Sequence, residues 1–295
     1  MSALLDALFR SPSATGLLSR CNFPRERHLH CAVSGGADSL ALMLLARRTE
    51  LPVTVWHVDH GLRPESSTEF RHVTAIADAL AIPTELRTVD VAGGANLEAR
   101  AREARYSVLP HDVLTGHTAD DQAETILINL LRGSGTAGLA GMRTHRRPLL
   151  GLRREETHSL CRELGLRPLH DPMNEHDRFQ RVRIRKELVP LLVDLSRRDI
   201  VDVLTRQAGL LRDDDDLLEE LAAMIDVTDA RALSAAPAAL ARRAVRQWLA
   251  NPTPPDAATV ERVLDIARGN ARACDVGGGR EVRRSRQRLG LHTVG

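Results

Sequence analysis

Apolar positions along the chain follow two rhythms. Short apolar or β-branched runs, His28–Val33, Val53–Val58 (VTVWHV) and Glu85–Val91, have the length and residue types of strands, and Asp112–Gly116 is a shorter run of the same kind. Between them, Ser39–Arg48, Thr68–Leu80, Asn96–Leu109 and Ala119–Leu131 space their apolar residues three and four apart, which predicts helices. Strands alternating with helices of this length predict βαβ units around a parallel sheet. Residues 1–27 read as a short amphipathic helix and a connector. The strand rhythm stops after about residue 185. Ile200–Ile225 reads as one long helix, with Asp213–Asp216 as a solvated face. Ser234–Ala250 and Asp256–Arg268 read as two more helices, separated by the proline-rich NPTPPD, and the tail GGGREVRRSRQRLGLHTV reads as a basic hairpin. The expected class is α/β: a parallel-sheet domain over residues 1–195, a helical linker over 196–230, and a smaller, mainly helical C-terminal domain over 231–295.

Composition narrows the function classes. With 43% hydrophobic and 27% charged residues, 295 residues can build one large or two medium cores. No run approaches the 18 or so apolar residues of a membrane span, and MSALLDALFR lacks a signal-peptide layout. A cytoplasmic protein with no membrane partner is the expectation. Four cysteines (Cys21, Cys31, Cys161, Cys274) are scattered without a C-x-x-C pair, which argues against a disulfide framework, a zinc site or an iron–sulfur site. Net charge is only +2, yet 40 of the 41 basic residues are arginine and Lys186 is the one lysine. Lysine-nucleophile chemistry therefore has a single candidate in the chain, whereas bidentate arginine contacts to phosphate are plentiful. At 2% aromatic residues, base stacking cannot be the main mode of nucleic-acid recognition.

Three segments carry candidate chemistry. In Ser34-Gly35-Gly36-Ala37-Asp38-Ser39 the glycines let backbone N–H groups approach an anion, and the following helix N-terminus favours negative charge. No Walker lysine follows, and the third glycine of the dinucleotide fingerprint is missing. Asp38 makes sense beside a metal-bridged pyrophosphate or a cationic group; a capped glycine turn is the plainer reading. WHVDHGLRPES leaves the second strand at the same edge of the sheet and brings His57, Asp59, His60 and Arg63 there. In TGHTADDQAETILINLLRGSG, Asp120, Asp121 and Glu124 fall within about 100° of helical arc, opposite an apolar face. Thr118 as N-cap, with acids complementing the helix dipole, accounts for one or two of them. Three, beside His117, suit a cation: Mg2+ or an ammonium. Two arginine-rich pieces follow, Arg100, Arg102 and Arg105 in NLEARAREARY, and Arg178, Arg181, Arg183, Arg185 and Lys186 in a segment that suits an RNA backbone.

SGGADS between strand and helix resembles the pyrophosphate loop of the N-type ATP pyrophosphatases, which cleave ATP between its α- and β-phosphates. Together with HVDHGLR, NLEARAREARY, GHTADDQAETILINLLRGSGTAGLAGM, RPLLGLRREE and DPMNEHDRFQRVRIRKELVPLL, in this order over residues 31–192, the set resembles the tRNA(Ile)-lysidine synthetases, in a short form. The resemblance implies a ligase that adenylates C2 of the wobble cytidine in isoleucine tRNA with a CAU anticodon, then joins free L-lysine there. It implies ATP at Ser34, Gly35, Gly36, Ala37, Asp38 and Ser39. Asp38 and one of Asp120 or Asp121, Asp121 foremost, would hold Mg2+ or steer the ammonium, with Glu124 in the same group. Arg105 or Arg132 would hold the lysine carboxylate, and His117 or His60 would take the proton. The family's habit adds a homodimer. Rival readings are a tRNA thiolation enzyme, which needs paired or catalytic cysteines, an amidating ligase, which needs an ammonia source, and a catalytically inactive tRNA-binding module.

Overall fold

The computed structural model describes residues 2–25, 27–59, 66–89, 104, 106–169, 180–251 and 253–293. The chain divides into two compact units, Met1–Ala208 and Gly209–Gly295.

In the first unit, β1 (Leu29–Ala32), β2 (Val53–Asp59) and β3 (Thr84–Thr88) form a parallel sheet in the order β1-β2-β3. Cys31 faces Val55, and Trp56 faces Glu85 across the ladder. Val53, Val55 and His57 alternate inward along β2, the period of a pleated strand. The short run at 112–116 does join the other edge of β1, through a single parallel bridge between Cys31 and Leu114. There Ala32 N–H donates to the Leu114 carbonyl at 2.9 Å, and Leu114 N–H to that of His30 at 2.7 Å.

Parallel neighbours need crossovers, and helices supply them. Ahead of the sheet lie α1 (Ala3–Arg10) and α2 (Pro12–Leu18), split where Ser11 and Pro12 start the second helix. Helix α3 (Ala37–Arg48) links β1 to β2, and α4 (Ser66–Ala79) links β2 to β3. Every residue of α3 from Leu40 to Ala46 is buried, so this helix is apolar all round and sits inside the core. It packs on α2, β1 and α6 (Arg154–Glu163), with Leu149, Leu152 and Leu160 closing the cluster. Helix α5 (Ala119–Leu131) has the bounds that its periodicity predicts. A π-helical turn, Ile184–Leu188, lies between Gln180–Arg183 and α7 (Val189–Ser196). Pro190 opens α7 without an N–H to return to the preceding turn, and its ring crowds that turn's carbonyl, so the helix widens there.

The division into units falls inside α8 (Ile200–Ala223). The second unit continues with α9 (Ala230–Ala235), α10 (Ala238–Trp248) and α11 (Ala257–Arg268). The single helix expected over 234–250 is broken at Pro237, which holds Ala236 extended at ψ 148°. The basic hairpin gains a strand: β4 (Ala273–Gly277), β5 (Arg280–Ser285) and β6 (Arg288–Thr293) form an antiparallel meander. Val245, Leu249, Val263, Leu264, Val282 and Leu289 form its core with the helices. The acidic run 213–216 is not wholly solvated. Asp215 is 5% exposed, and Arg243 reaches it at 2.7 Å and Glu219 at 2.6 Å. Among the described residues, no helix is long and apolar enough to cross a membrane.

Candidate active site

The chain leaves β1 with Val33 N–H still paired to the Trp56 carbonyl at 2.9 Å, then turns through Ser34, Gly35 and Gly36 into α3. Gly35 has φ +93°, a conformation that favours glycine, and a Cβ there would stand 2.5 Å from Leu169 Cδ1, so that side chain would have to shift. Leu169 N–H closes over the turn, donating to the Gly35 carbonyl at 2.9 Å. The loop curls around one hydroxyl. Ser34 N–H and Gly35 N–H each point at Ser39 Oγ at 3.2 Å, and Ser39 donates to the Gly36 carbonyl at 2.8 Å. Adjacent amides converging on a single oxygen, at the N-terminus of a buried helix and the carboxyl edge of a parallel sheet, form an anion cradle.

A second loop abuts this one. A Cβ on Gly116 would lie 2.5 Å from the Asp38 carbonyl oxygen, so glycine permits backbone to approach backbone. The loop leads into α5 through a cap supplied by Asp121: Thr118 N–H and Oγ1 donate to Asp121 Oδ2 at 2.9 and 3.0 Å. Helix α6 is docked on the same end. Ala119 N–H donates to the Leu152 carbonyl at 2.8 Å, and Arg154 N–H to Asp120 Oδ2 at 2.7 Å.

Arg154 joins Asp38 to two of the three acids on α5, Asp121 and Glu124. Its guanidinium lies 2.7 Å from Asp121 Oδ1, 3.1 Å from Glu124 Oε1 and 3.6 Å from Asp38 Oδ2. Burial pushes Asp38 above the usual carboxylate range. The Thr157 hydroxyl, which donates to Asp38, opposes that shift, and the neighbouring Asp121 charge adds to it. Asp121 goes the other way: burial favours its neutral form, but Arg154 and the Thr118 N–H together hold it below the usual range. Arg154 itself is raised, since Asp121, Glu124 and Asp38 outweigh its burial. Glu124, 2% exposed, is enclosed by arginines, with Arg185 bidentate at 2.7 and 3.2 Å and Arg181 at 3.4 Å besides Arg154. Asp120 pairs with Arg153 at 3.2 Å.

The structure therefore brings together Ser34, Gly35, Gly36, Ala37, Asp38 and Ser39 with Asp120, Asp121 and Glu124. His117 lies in the loop beside them, its Nδ1 2.8 Å from Thr115 Oγ1. Arg132 does not join them. It is the exposed C-cap of α5, about 18 Å along the helix axis from Asp120. His60 and Arg105 lie outside the described residues, as do Arg63, Arg100, Arg102 and Arg178. His57 is structural: it is buried, with Nδ1 2.8 Å from the Val33 carbonyl. The basic segment is only partly a solvent-facing patch, because Arg181 and Arg185 turn onto Glu124 and Arg183 pairs with Glu187 at 3.0 Å. Sequence reasoning missed Arg153, Arg154 and Thr157. The segment RPLLGLRREE, which contains Arg153 and Arg154, carried the resemblance without a role for either arginine, and three acids on a helix face pointed to a cation without naming it.

The thiols beneath the site are protected. Cys31 and Cys161 are buried, Cys161 Sγ lies 3.5 Å from the Ala37 carbonyl, and burial pushes both up to about 12. Among the described residues, no group of three or more histidines, cysteines or acids could hold a metal ion alone.

Comparison with known proteins follows the same division. A family described as the PP-loop domain matches residues 11–192, and the TilS substrate binding domain matches residues 229–290. The tRNA(Ile)-lysidine synthase of Mycolicibacterium paratuberculosis is 42% identical over 260 residues, 82% of this chain and 81% of its own. That of Rhodococcus erythropolis is 43% identical over 244 residues, 77% and 75% of the two chains. That of Mycobacterium tuberculosis H37Rv is 44% identical over 238 residues, 74% and 73%. Among solved structures, the U34-tRNA thiolase from Methanococcus maripaludis aligns with a TM-score of 0.55 at 16% identity, over 69% of this chain and 80% of that one, a likeness of fold.

Proposed function

The chain belongs to the tRNA(Ile)-lysidine synthase family, and we propose that it joins L-lysine to the wobble cytidine of CAU-anticodon isoleucine tRNA at the site described. It is an ATP-using ligase. The C2 oxygen of the cytidine attacks the α-phosphorus of ATP, and pyrophosphate leaves. The lysine ε-amine then forms a bond to C2, and AMP leaves with the former carbonyl oxygen. The observation that supports this reading is the abutment of an amide cradle on buried carboxylates, which puts a place for pyrophosphate next to a place for cations.

Residues 34–39 bind and orient the ATP phosphates. With no lysine in the loop, charge on the departing pyrophosphate falls to the amides, the α3 N-terminus and a divalent cation. Asp38 and Asp121 fit Mg2+: they are hard oxygen donors, and the Asp121 charge is close enough to shift Asp38. Bound there, Mg2+ supplies charge neutralisation at the phosphate oxygens. Arg154 shares both carboxylates, so it yields part of its contact when a cation binds. In the alternative assignment of this cluster, the acids steer the lysine ammonium and not Mg2+. His117 or His60 accepts the ε-amine proton, as a neutral imidazole does near pH 7. Glu124 is a positioning residue, fastening Arg181 and Arg185 beside the acids. Residues 1–195 carry the chemistry, 196–230 link, and 231–295 engage the tRNA stem, where phosphate contacts set register. The enzyme works in the cytoplasm, as a homodimer.

The raised thiols argue against the thiolation alternative, because the thiolate is the reactive form. The test is stoichiometry. With ATP, Mg2+ and L-lysine, AMP and pyrophosphate should appear in equal amounts, and only when the CAU-anticodon tRNA is present. Asp38→Asn should abolish both while the tRNA is still retained on a filter. Release of AMP without tRNA would overturn the assignment.

A further inference from the structure

The amino-terminal end of β1 is lined with polar groups as well. There, about 20 Å along the chain from Gly35, lies a cleft of about 500 Å3. Arg27 and Arg146 line it, together with four imidazoles, His28, His30, His111 and His145. Asp112 is the one carboxylate among its described lining residues, and Phe23, Pro24 and Leu29 form an apolar wall. None of these groups belongs to the catalytic arrangement above.

The polar groups are held in place. Arg146 Nη2 donates to the His111 carbonyl. Trp56 Nε1 donates to His30 Nδ1 at 3.1 Å, which leaves the proton of the neutral ring on Nε2. His28 stacks on His30 at 4.8 Å between centroids and is tied to Thr54 Oγ1 at 2.8 Å. Among the described lining residues, two guanidiniums face one carboxylate. His145 is pushed down by burial and by Arg146, Arg147 and Arg143. His30 is pushed down by burial and by His28 and His111, with Asp112 alone pulling upward. Guanidinium with imidazole donors suits phosphate oxygens.

We propose that this cleft is a second anion site, which binds a phosphoryl group attached to an apolar or planar moiety: a nucleotide phosphate, either free or in an RNA strand. The apolar wall takes the sugar or base edge, while Arg27, Arg146 and His30 take the oxygens. The site stands independently of the chemistry assigned to the glycine loop.

The test uses the full chain and the imidazole Cε1–H signals of His30 and His145, assigned by their loss in His30→Gln and His145→Gln. Inorganic phosphate, AMP and a short oligoribonucleotide are titrated separately, with acetate as the control. The expected result is a saturable shift of both signals with phosphate. A stronger response to AMP identifies a free nucleotide, and a stronger response to the oligoribonucleotide identifies a strand. Arg27 is exposed, so Arg27→Glu leaves the fold intact and should weaken phosphate binding about tenfold. Absence of a saturable shift, an equal response to acetate, or unchanged affinity in Arg27→Glu would each overturn the proposal.

Discussion

Replacing Glu124 by Gln keeps the shape of the side chain and removes its charge. The carboxylate is 3% exposed, and three guanidiniums surround it: Arg154 at 19% exposure, Arg185 at 36% and Arg181 at 40%. Breaking a fully buried ion pair from one side costs roughly 3–5 kcal/mol. Arg154 retains Asp121 and Asp38, and Arg181 retains a 3.1 Å bond to Thr125 Oγ1. Water also reaches Arg181 and Arg185, so the expected loss is about 2–3 kcal/mol. For a unit of this size that lowers the melting temperature by about 5–10 °C. Arg183→Ala removes an exposed pair with Glu187 and should cost about 0.5 kcal/mol or less. Calorimetry of both variants, with lysine incorporation measured well below the melting point, checks the assignment. Glu124→Gln should melt early and turn over slowly. If it melts like the unmodified protein and loses only kcat, Glu124 is catalytic and the positioning role is refuted.

Asp38→Asn should raise the melting temperature at neutral pH while abolishing AMP release. The folded pKa of Asp38 is raised by burial, so its favourable contribution is present below the unfolded value near 3.8 and is lost as pH rises through the folded value. The stabilisation by Asn should therefore shrink as pH falls towards 4, and a variant less stable than the parent at pH 7 would contradict this. Asp121 has the opposite sign: its contribution is present above the unfolded value and lost as pH falls through the folded one, so Asp121→Asn should destabilise at pH 7. Gly116→Ala puts a methyl 2.5 Å from the Asp38 carbonyl and should cost about 1–3 kcal/mol in denaturant titration, with ATP use impaired. Gly16→Ala, in α2 with open space around it, should be neutral or stabilising by up to about 1 kcal/mol. Cys161→Ala should retain lysine incorporation; its complete loss with folding intact would revive thiol chemistry.

Local order was legible where local causes decide it. Thr118 and Asp121 mark the start of α5, and the all-apolar run after Ser39 marks a helix buried on every side. The glycine loop needed only its own six residues. Pro237 breaks a helix that apolar spacing alone continues through, and β4, five residues with Val276 as its one β-branched member, is too short to read as a strand before its partners are known. The site was harder because its decisive contacts are long-range. Arg154 is 30 residues from Glu124 in sequence, and Arg185 is 61 away. A pattern of acids on one face shows that a cation is needed. It does not show that the chain supplies its own. Asp215 makes the same point, since Arg243 from a later helix converts a solvated run into a buried pair.

In the proposed function, the PP-loop and the acid cluster together attach lysine to RNA. Purified protein, ATP, Mg2+, isotopically labelled L-lysine and a CAU-anticodon isoleucine tRNA transcript are incubated, and the digested tRNA is analysed by mass spectrometry. The account predicts one labelled lysyl group on the wobble cytidine, dependent on ATP and absent from Asp38→Asn. A folded protein that leaves this cytidine unmodified, or gives it sulfur or ammonia-derived nitrogen in place of lysine, would contradict the account.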